Sequence, residues 1–144
     1  MKSCFDTSFL VSLYVPDANS PMAVAALRVI RSPIEVNPVL HLEVMNAIQL
    51  RLFRSEITRT QAKEVLAAIR SDIRSGFLTL TPAPTTLYEM ASRLSARHSA
   101  RLGVRSLDIL HVAIAVLNHA RRFYTFDQRQ AKLARACHLS IPLP

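Results

Sequence analysis

The segment SLDILHVAIAVLNHA, residues 106–120, decides the fold of this chain. Ser106 is typical of a helix N-cap, and most of the residues behind it are apolar, with Asp108, His111, Asn118 and His119 as exceptions. We therefore predict a helix over residues 107–120 that is apolar on nearly every side. A helix of this kind lies in the middle of a fold, with other elements packed around it.

Short apolar runs alternate with segments of helical periodicity along the rest of the chain. One helix begins at the capping-box pattern Thr58 to Gln61 and ends at Gly76. Strands joined by helical crossovers favour a parallel sheet with helices on both faces. The sequence therefore predicts an α/β fold with a parallel five-stranded sheet. Its strands are expected at residues 3–5, 34–37, 77–80, 123–126 and 139–143, and its other helices at 9–14, 22–30, 39–53, 86–102 and 127–137.

Length and composition indicate a single domain of residues 1–144 with its own hydrophobic core. Half of the 144 residues (50%) are apolar, and 18 Lys and Arg stand against 10 Asp and Glu, a formal net charge of +8. Such an excess suits a polyanionic partner, either nucleic acid or an anionic membrane. Only 2 glycines are present, which excludes the glycine-rich loops that bind ATP or NAD.

The sequence predicts a soluble, cytoplasmic protein without a membrane segment. No apolar run approaches the roughly 20 residues that span a bilayer, and the amino terminus lacks a signal-peptide cleavage site. Cys4 and Cys137 are far apart in the sequence, so we interpret both as small buried apolar residues in a reducing compartment.

Four acidic residues stand at positions where chemistry is expected. Asp6 and Asp127 each end a predicted strand, Asp108 lies in the first turn of the central helix, and Glu43 lies on the third helix. Taken singly, the aspartates suit helix starts and Glu43 suits a surface. Taken together they would converge at the carboxyl edge of the sheet, where ligands bind, and would repel each other without a cation. Carboxylates without Cys or His ligands favour Mg²⁺ or Mn²⁺.

The segments that carry these acids resemble the four acidic segments of the PIN-domain ribonucleases, and in length and order the chain is similar to the VapC-like toxins of toxin–antitoxin pairs. The resemblance implies a three-layer sandwich, with helices on both faces of a parallel five-stranded sheet. It rests on Asp6-Thr7-Ser8, Leu42-Glu43-Val44, the stretch from Ser106 to Ala113, and Tyr124-Thr125-Phe126-Asp127.

Carried over residue by residue, the resemblance assigns Asp6, Glu43, Asp108 and Asp127 as the catalytic and metal-binding acids. It assigns Thr7 or Ser8 and Thr125 as their polar neighbours. Helical spacing adds Asn46, three residues after Glu43, as an amide that supports this acid or merely faces the groove. By the same spacing His111 follows Asp108 and is either a buried, hydrogen-bonded histidine or part of the pocket.

The activity that the resemblance implies is a Mg²⁺- or Mn²⁺-dependent endoribonuclease, the toxin of a type II toxin–antitoxin system. Its implied partners are an RNA substrate, a small antitoxin protein that blocks the acidic groove, and a second copy in a homodimer. The alternative is a non-catalytic PIN-like module that binds RNA or protein.

A series of arginines repeats every four residues and leads toward Asp108. The ridge consists of Arg93, Arg97, Arg101 and Arg105. It is either a solvated helix face or a track for RNA phosphates, with Arg97, Arg101 and Arg105 as the candidate contacts. Because the chain has no Trp and only 3 Tyr and 6 Phe, we expect recognition of backbone charge and RNA shape rather than base stacking.

Overall fold

The computed structural model describes residues 2–144 and divides the chain into two compact units. One unit runs from the amino terminus to Asp6 and resumes at Pro82–Pro144, and the other is Thr7–Thr81. We call them the terminal unit and the middle unit. Along the chain the elements are β1 (Ser3–Phe5), α1 (Thr7–Tyr14), α2 (Ser20–Leu27), β2 (Ile34–Val36), α3 (Pro38–Phe53), α4 (Arg59–Ser75), β3 (Leu78–Leu80), α5 (Leu87–Leu102), α6 (Ser106–Leu117), β4 (Arg122–Tyr124) and α7 (Gln128–Ala136).

The terminal unit is built on a parallel pair of short strands and on helix α6. Strand β1 pairs with β4, with Cys4 opposite Phe123 and Phe5 opposite Tyr124. The rings of Phe5 and Tyr124 stack with their centroids 5.2 Å apart. Helix α6 packs against α5, α7 and β1, and its residues from Asp108 to Ala115 are buried except Leu110. The sequence prediction of a central apolar helix is therefore confirmed.

The middle unit holds a second parallel strand pair, β2 with β3, in which Ile34 lies opposite Leu78. Helix α1 packs against α2, α3 and α4. The turn between β2 and α3 is tight because the Asn37 side chain accepts hydrogen bonds from the backbone N–H groups of Val39 and Leu40, and Pro38 suits the first helical position. This cap fixes the start of the helix that carries Glu43.

Helix α4 has both of the ends that the sequence predicts. The Thr58 side chain accepts from the Gln61 N–H at 3.1 Å, and the Gln61 side chain accepts from the Thr58 N–H at 2.8 Å, which completes the capping box. At the other end Gly76 is left-handed, with φ of 81°.

The α/β class and the parallel strands are confirmed, but the prediction of a single five-stranded sheet is wrong. Within residues 2–144 four strands form two separate pairs, and the expected fifth strand at 139–143 contributes only a bridge from Ser140 to Arg122. Pro142 has no N–H to donate to a neighbouring strand, so the pairing cannot extend beyond the bridge. The prediction of one domain over residues 1–144 remains a prediction.

The bounds of helices α6 and α2 also differ from the prediction. Helix α6 begins at Ser106, with Arg105 rather than Ser106 as its N-cap, and it ends at Leu117 instead of 120. His119 adopts a left-handed φ of 53°, which ends the helical path before the predicted limit. Helix α2 covers Ser20–Leu27 rather than 22–30. Over the described residues, none of the helices combines the length and the apolar character needed to cross a membrane.

Candidate active site

The strand pair of the terminal unit brings Asp6 and Thr125 together. Because Phe5 lies opposite Tyr124 in a parallel register, the residue that follows each strand lies at the same edge. The Asp6 backbone N–H donates to the Tyr124 carbonyl at 3.1 Å, and the Thr125 hydroxyl donates to the Asp6 carboxylate at 2.6 Å. Both side chains are buried, and Asp6 is only 1% exposed. Burial of a carboxylate is costly unless donors compensate it, and Thr125 is one such donor.

The same threonine also connects this edge to Asp127. The Thr125 oxygen accepts from the Asp127 N–H at 2.9 Å. One oxygen of the Asp127 carboxylate, Oδ1, accepts from the N–H groups of Arg129 at 2.8 Å and Gln130 at 3.2 Å, so Asp127 is the N-cap of α7. Its other oxygen, Oδ2, lies near the guanidinium group of Arg105.

Asp108 is held by three donors in the first turn of α6. Its Oδ2 accepts from the backbone N–H of Arg105 at 3.2 Å and from the Arg105 Nε at 3.3 Å. Its Oδ1 accepts from the Gln130 amide Nε2 at 3.0 Å. The side chain is only 7% exposed, so these donors and the positive charge of Arg105 offset its desolvation.

Arg105 also links Asp108 to Asp127. Its Nη2 lies 3.8 Å from the Asp127 Oδ2, while its Nε contacts Asp108. The Arg105 guanidinium therefore contacts two carboxylates, those of Asp108 and Asp127. Through Thr125 and Arg105, three of the four predicted acids belong to one connected set. We call this set the acid network; it consists of Asp6, Asp108, Asp127, Thr125, Arg105 and Gln130.

Two members of the acid network were not predicted in these roles. Gln130 is absent from the sequence prediction, although it lies three residues after Asp127 and so returns to the same face of α7. It is 5% exposed, and its Oε1 has no hydrogen-bond partner in the described part of the chain. Arg105 is predicted as the last arginine of the basic ridge, and its contact with both acids was not foreseen.

Glu43 belongs to the middle unit, where its carboxylate accepts a hydrogen bond from the Thr7 hydroxyl at 2.8 Å. Thr7 directly follows Asp6 in the chain, and its predicted role as a polar neighbour of the acids stays a prediction. Ser8 is partly exposed in α1, and Asn46 is exposed on α3. His111 is buried on α6.

The basic ridge lies on α5 and the loop behind it. Arg93 is paired with Glu89 at 2.9 Å, whereas Arg97 and Arg101 are exposed. His98, between them in the sequence, is buried. Burial lowers the pKa of His98 below its ordinary value of 6.5, and the positive charges of Arg101 and Arg97 lower it further.

The acid network suits a hard divalent cation in its chemistry. Its donors are carboxylate oxygens and one buried amide oxygen without a partner, and the guanidinium of Arg105 already occupies a cation position between Asp108 and Asp127. As the side chains stand in residues 2–144, no three Asp, Glu, His or Cys are grouped to hold one ion. Mg²⁺ needs no such cage, since it commonly takes one or two carboxylates and keeps several waters.

Comparison with known proteins agrees with this architecture. The sequence model of the family described as PIN domain matches residues 3–136. The crystal structure of Mycobacterium tuberculosis VapC20, a sarcin-ricin loop cleaving toxin, is similar with a TM-score of 0.69 and 21% identity, over 91% of this chain and 94% of that one. The crystal structure of FitAcB from Neisseria gonorrhoeae is similar with a TM-score of 0.68 and 12% identity, over 97% of this chain and 96% of that one.

A third similar structure is VapBC2 from Rickettsia felis bound to a DNA fragment from their promoter, with a TM-score of 0.66 and 16% identity, over 98% of this chain and 97% of that one. At these identities the likeness establishes the fold. Among curated protein sequences no relative matches the chain.

Proposed function

The chain belongs to the PIN domain family, and we propose that it is a metal-dependent endoribonuclease, the toxin of a type II toxin–antitoxin system. The observation that carries the proposal is the acid network, in which Thr125 joins the Asp6 carboxylate to the Asp127 backbone and the Arg105 guanidinium contacts the Asp108 and Asp127 carboxylates. The placement of Asp6 and Asp108 out of water supports it, because buried carboxylates without function are costly to keep.

Each residue of the network has a distinct part in the proposed reaction. Asp6, Asp108 and Asp127 would hold Mg²⁺ or Mn²⁺, and Glu43 is the fourth metal-binding acid on the ground of its sequence motif. A metal held there would supply positive charge to activate a water and to stabilise the negative charge that develops on the RNA phosphate. Thr125 fixes the orientation of Asp6, and the Gln130 amide fixes that of Asp108.

The proposed substrate is single-stranded RNA that is bound through its phosphates. The exposed arginines Arg97 and Arg101 lie on α5, in the same unit as the acid network, and they supply positive charge for this purpose. The proposed toxin acts in the cytoplasm, where its RNA is found.

Protein partners are the second part of the proposal. We expect a homodimer and a small antitoxin that covers the acidic groove. Two apolar segments, 24–27 and 48–53, are candidate contacts from the sequence. In the second of them Ile48 is buried, so the contact would rest on Leu50 and on Phe53, which is 84% exposed.

Paired substitutions at the acids test the proposed activity. Asp6→Asn and Asp108→Asn each remove a negative charge with hardly any change in volume, so cleavage of a synthetic RNA in Mg²⁺ should fall by at least about a hundredfold. Glu64→Gln, an exposed acid on α4, is the matched control and should cleave like the wild type. Circular dichroism spectra should be the same for the wild type and all three variants, which checks that each variant folds.

Two results would contradict the proposal. Undiminished cleavage by both variants would exclude the acid network as the catalytic site. RNA binding by the wild type without any cleavage, in Mg²⁺ and in Mn²⁺, would favour the non-catalytic module instead.

A further inference from the structure

Arg105 has an unusual position among the arginines of the chain. It is the N-cap residue of α6, its backbone N–H donates to Asp108, and its side chain reaches two carboxylates at once. The guanidinium atoms lie 3.3 Å from the Asp108 Oδ2 and 3.8 Å from the Asp127 Oδ2. Within the described chain it therefore occupies a cation position between two of the acids to which the proposed function assigns the metal.

The contact combines a buried acid with an exposed base. The Asp108 side chain is 7% exposed and needs a positive charge nearby, whereas the Arg105 side chain is 66% exposed. An exposed guanidinium held by two long contacts is weakly bound and regains its hydration when it leaves. After such a departure the Asp108 carboxylate would keep two donors, the Gln130 amide and the backbone N–H of Arg105.

From these contacts we propose that Arg105 is a resident counter-ion that a divalent metal displaces. In the metal-free protein it neutralises Asp108 and Asp127; when the metal binds, the guanidinium swings out to solvent. Arg105 thus competes with the metal and sets the concentration at which the site fills. The inference rests on the proposed function, since it assumes that the metal binds at these acids.

Metal binding measured directly, without RNA, tests the competition. The probe is Mn²⁺ alone, titrated by calorimetry and by its paramagnetic resonance signal. Arg105→Ala should bind Mn²⁺ at least about fivefold more tightly than the wild type, because the metal no longer displaces an ion pair. Arg129→Ala is the matched control: it removes the same charge two residues from Asp127, but its exposed side chain pairs with no acid in residues 2–144.

Melting temperature supplies a second readout for the counter-ion role. In EDTA, Arg105→Ala should melt below Arg129→Ala because Asp108 is left without its cation, and Mn²⁺ should raise its melting temperature more than that of the wild type. Arg105→Gln retains a donor for Asp108 and serves if the alanine variant fails to fold. It should also bind Mn²⁺ more tightly than the wild type.

The outcomes separate this inference from the proposed function. If the wild type binds Mn²⁺ and Arg105→Ala binds it no more tightly than Arg129→Ala, displacement is wrong while the metal-dependent function stands. If neither the wild type nor any Arg105 variant binds Mn²⁺, the metal-dependent function and the displacement both fail.

Discussion

Thr125 is the residue through which Asp6 and Asp127 are connected, since its oxygen donates to one and accepts from the backbone of the other. Thr125→Val removes both hydrogen bonds and keeps the shape of the side chain. It leaves the buried Asp6 carboxylate short of a donor, so the free energy of unfolding should fall by about 1–3 kcal/mol. Urea denaturation in EDTA measures this.

Thr125→Ser is the matched variant for this prediction because it restores the hydroxyl and loses only a methyl group. It should recover most of the lost stability and of the RNA cleavage. A serine variant that is no more stable than the valine variant would show that packing, and not the hydroxyl, is what Thr125 contributes.

His98 predicts a pH dependence of stability. Its pKa is lowered in the folded protein by burial and by Arg101 and Arg97, so near pH 6 the unfolded chain takes up a proton that the folded chain does not. Stability should therefore be retained above the ordinary pKa of 6.5 and should decrease as the pH falls below it.

Urea melts at pH 7.5 and pH 5.5 check the sign. We expect the wild type to lose stability at the lower pH and His98→Gln to lose less. His119→Asn is the control, because His119 is exposed and asparagine tolerates its left-handed φ of 53°. An equal loss in all three proteins would assign the pH dependence to other groups.

At the scale of the elements, the ends of helices were the most predictable features. Thr58, Gly76 and Asp127 signal helix ends by chemistry that acts within a few residues, and each of them caps a helix in the structure. Sheet pairing was less predictable because it depends on contacts between distant segments. The strands at 3–5 and 122–124 are three residues long. No local sequence signal indicates that, within the described residues, the β1–β4 and β2–β3 pairs form two separate sheets.

The candidate site also has features that the local sequence predicts and features that depend on distant contacts. Asp6, Asp108 and Asp127 stand at or near the ends of strands and helices, where sequence position alone predicts that they approach one edge. The partners of the acids could not be predicted so directly. The four-residue spacing of the arginines assigned Arg105 to the basic ridge. In the structure Arg105 is the N-cap of α6, and its guanidinium contacts Asp108 and Asp127. The sequence therefore suggested that the acids repel each other without compensation, whereas in the structure the Arg105 guanidinium lies between Asp108 and Asp127.

The capping box of α4 gives a prediction at this scale. Thr58→Ala leaves the Gln61 N–H without its side-chain acceptor, and it should lower the free energy of unfolding by about 1 kcal/mol. Thr60→Ala, an exposed position within the same helix, is the control and should change stability by less than about half as much. Thermal and urea melts measure both. Equal effects of the two changes would mean that the cap is not what stabilises this end.

For the molecule as a whole, net charge and local charge have opposite signs. The chain carries +8 overall, yet three of its 10 acids are gathered in the acid network. A polyanion is attracted by the net charge, and the acids repel its phosphates unless cations cover them. The positive balance was readable from composition, because counting charges needs no structure. Its arrangement around a local acidic site was not.

The basic ridge therefore predicts how salt weakens RNA binding. If Arg97 and Arg101 each contact one phosphate, the double variant with alanine at both positions should bind single-stranded RNA more weakly. The slope of log affinity against log salt should become shallower by roughly 0.7 per lost contact, because fewer counterions are released. Fluorescence anisotropy with a labelled RNA, in EDTA to prevent cleavage, gives the slope. Alanine at both Arg59 and Arg70, which are exposed on α4, removes the same net charge and serves as control. A slope that changes equally in both double variants would mean that RNA senses the overall charge. A change confined to the α5 variant would mean that the phosphates lie along Arg97 and Arg101.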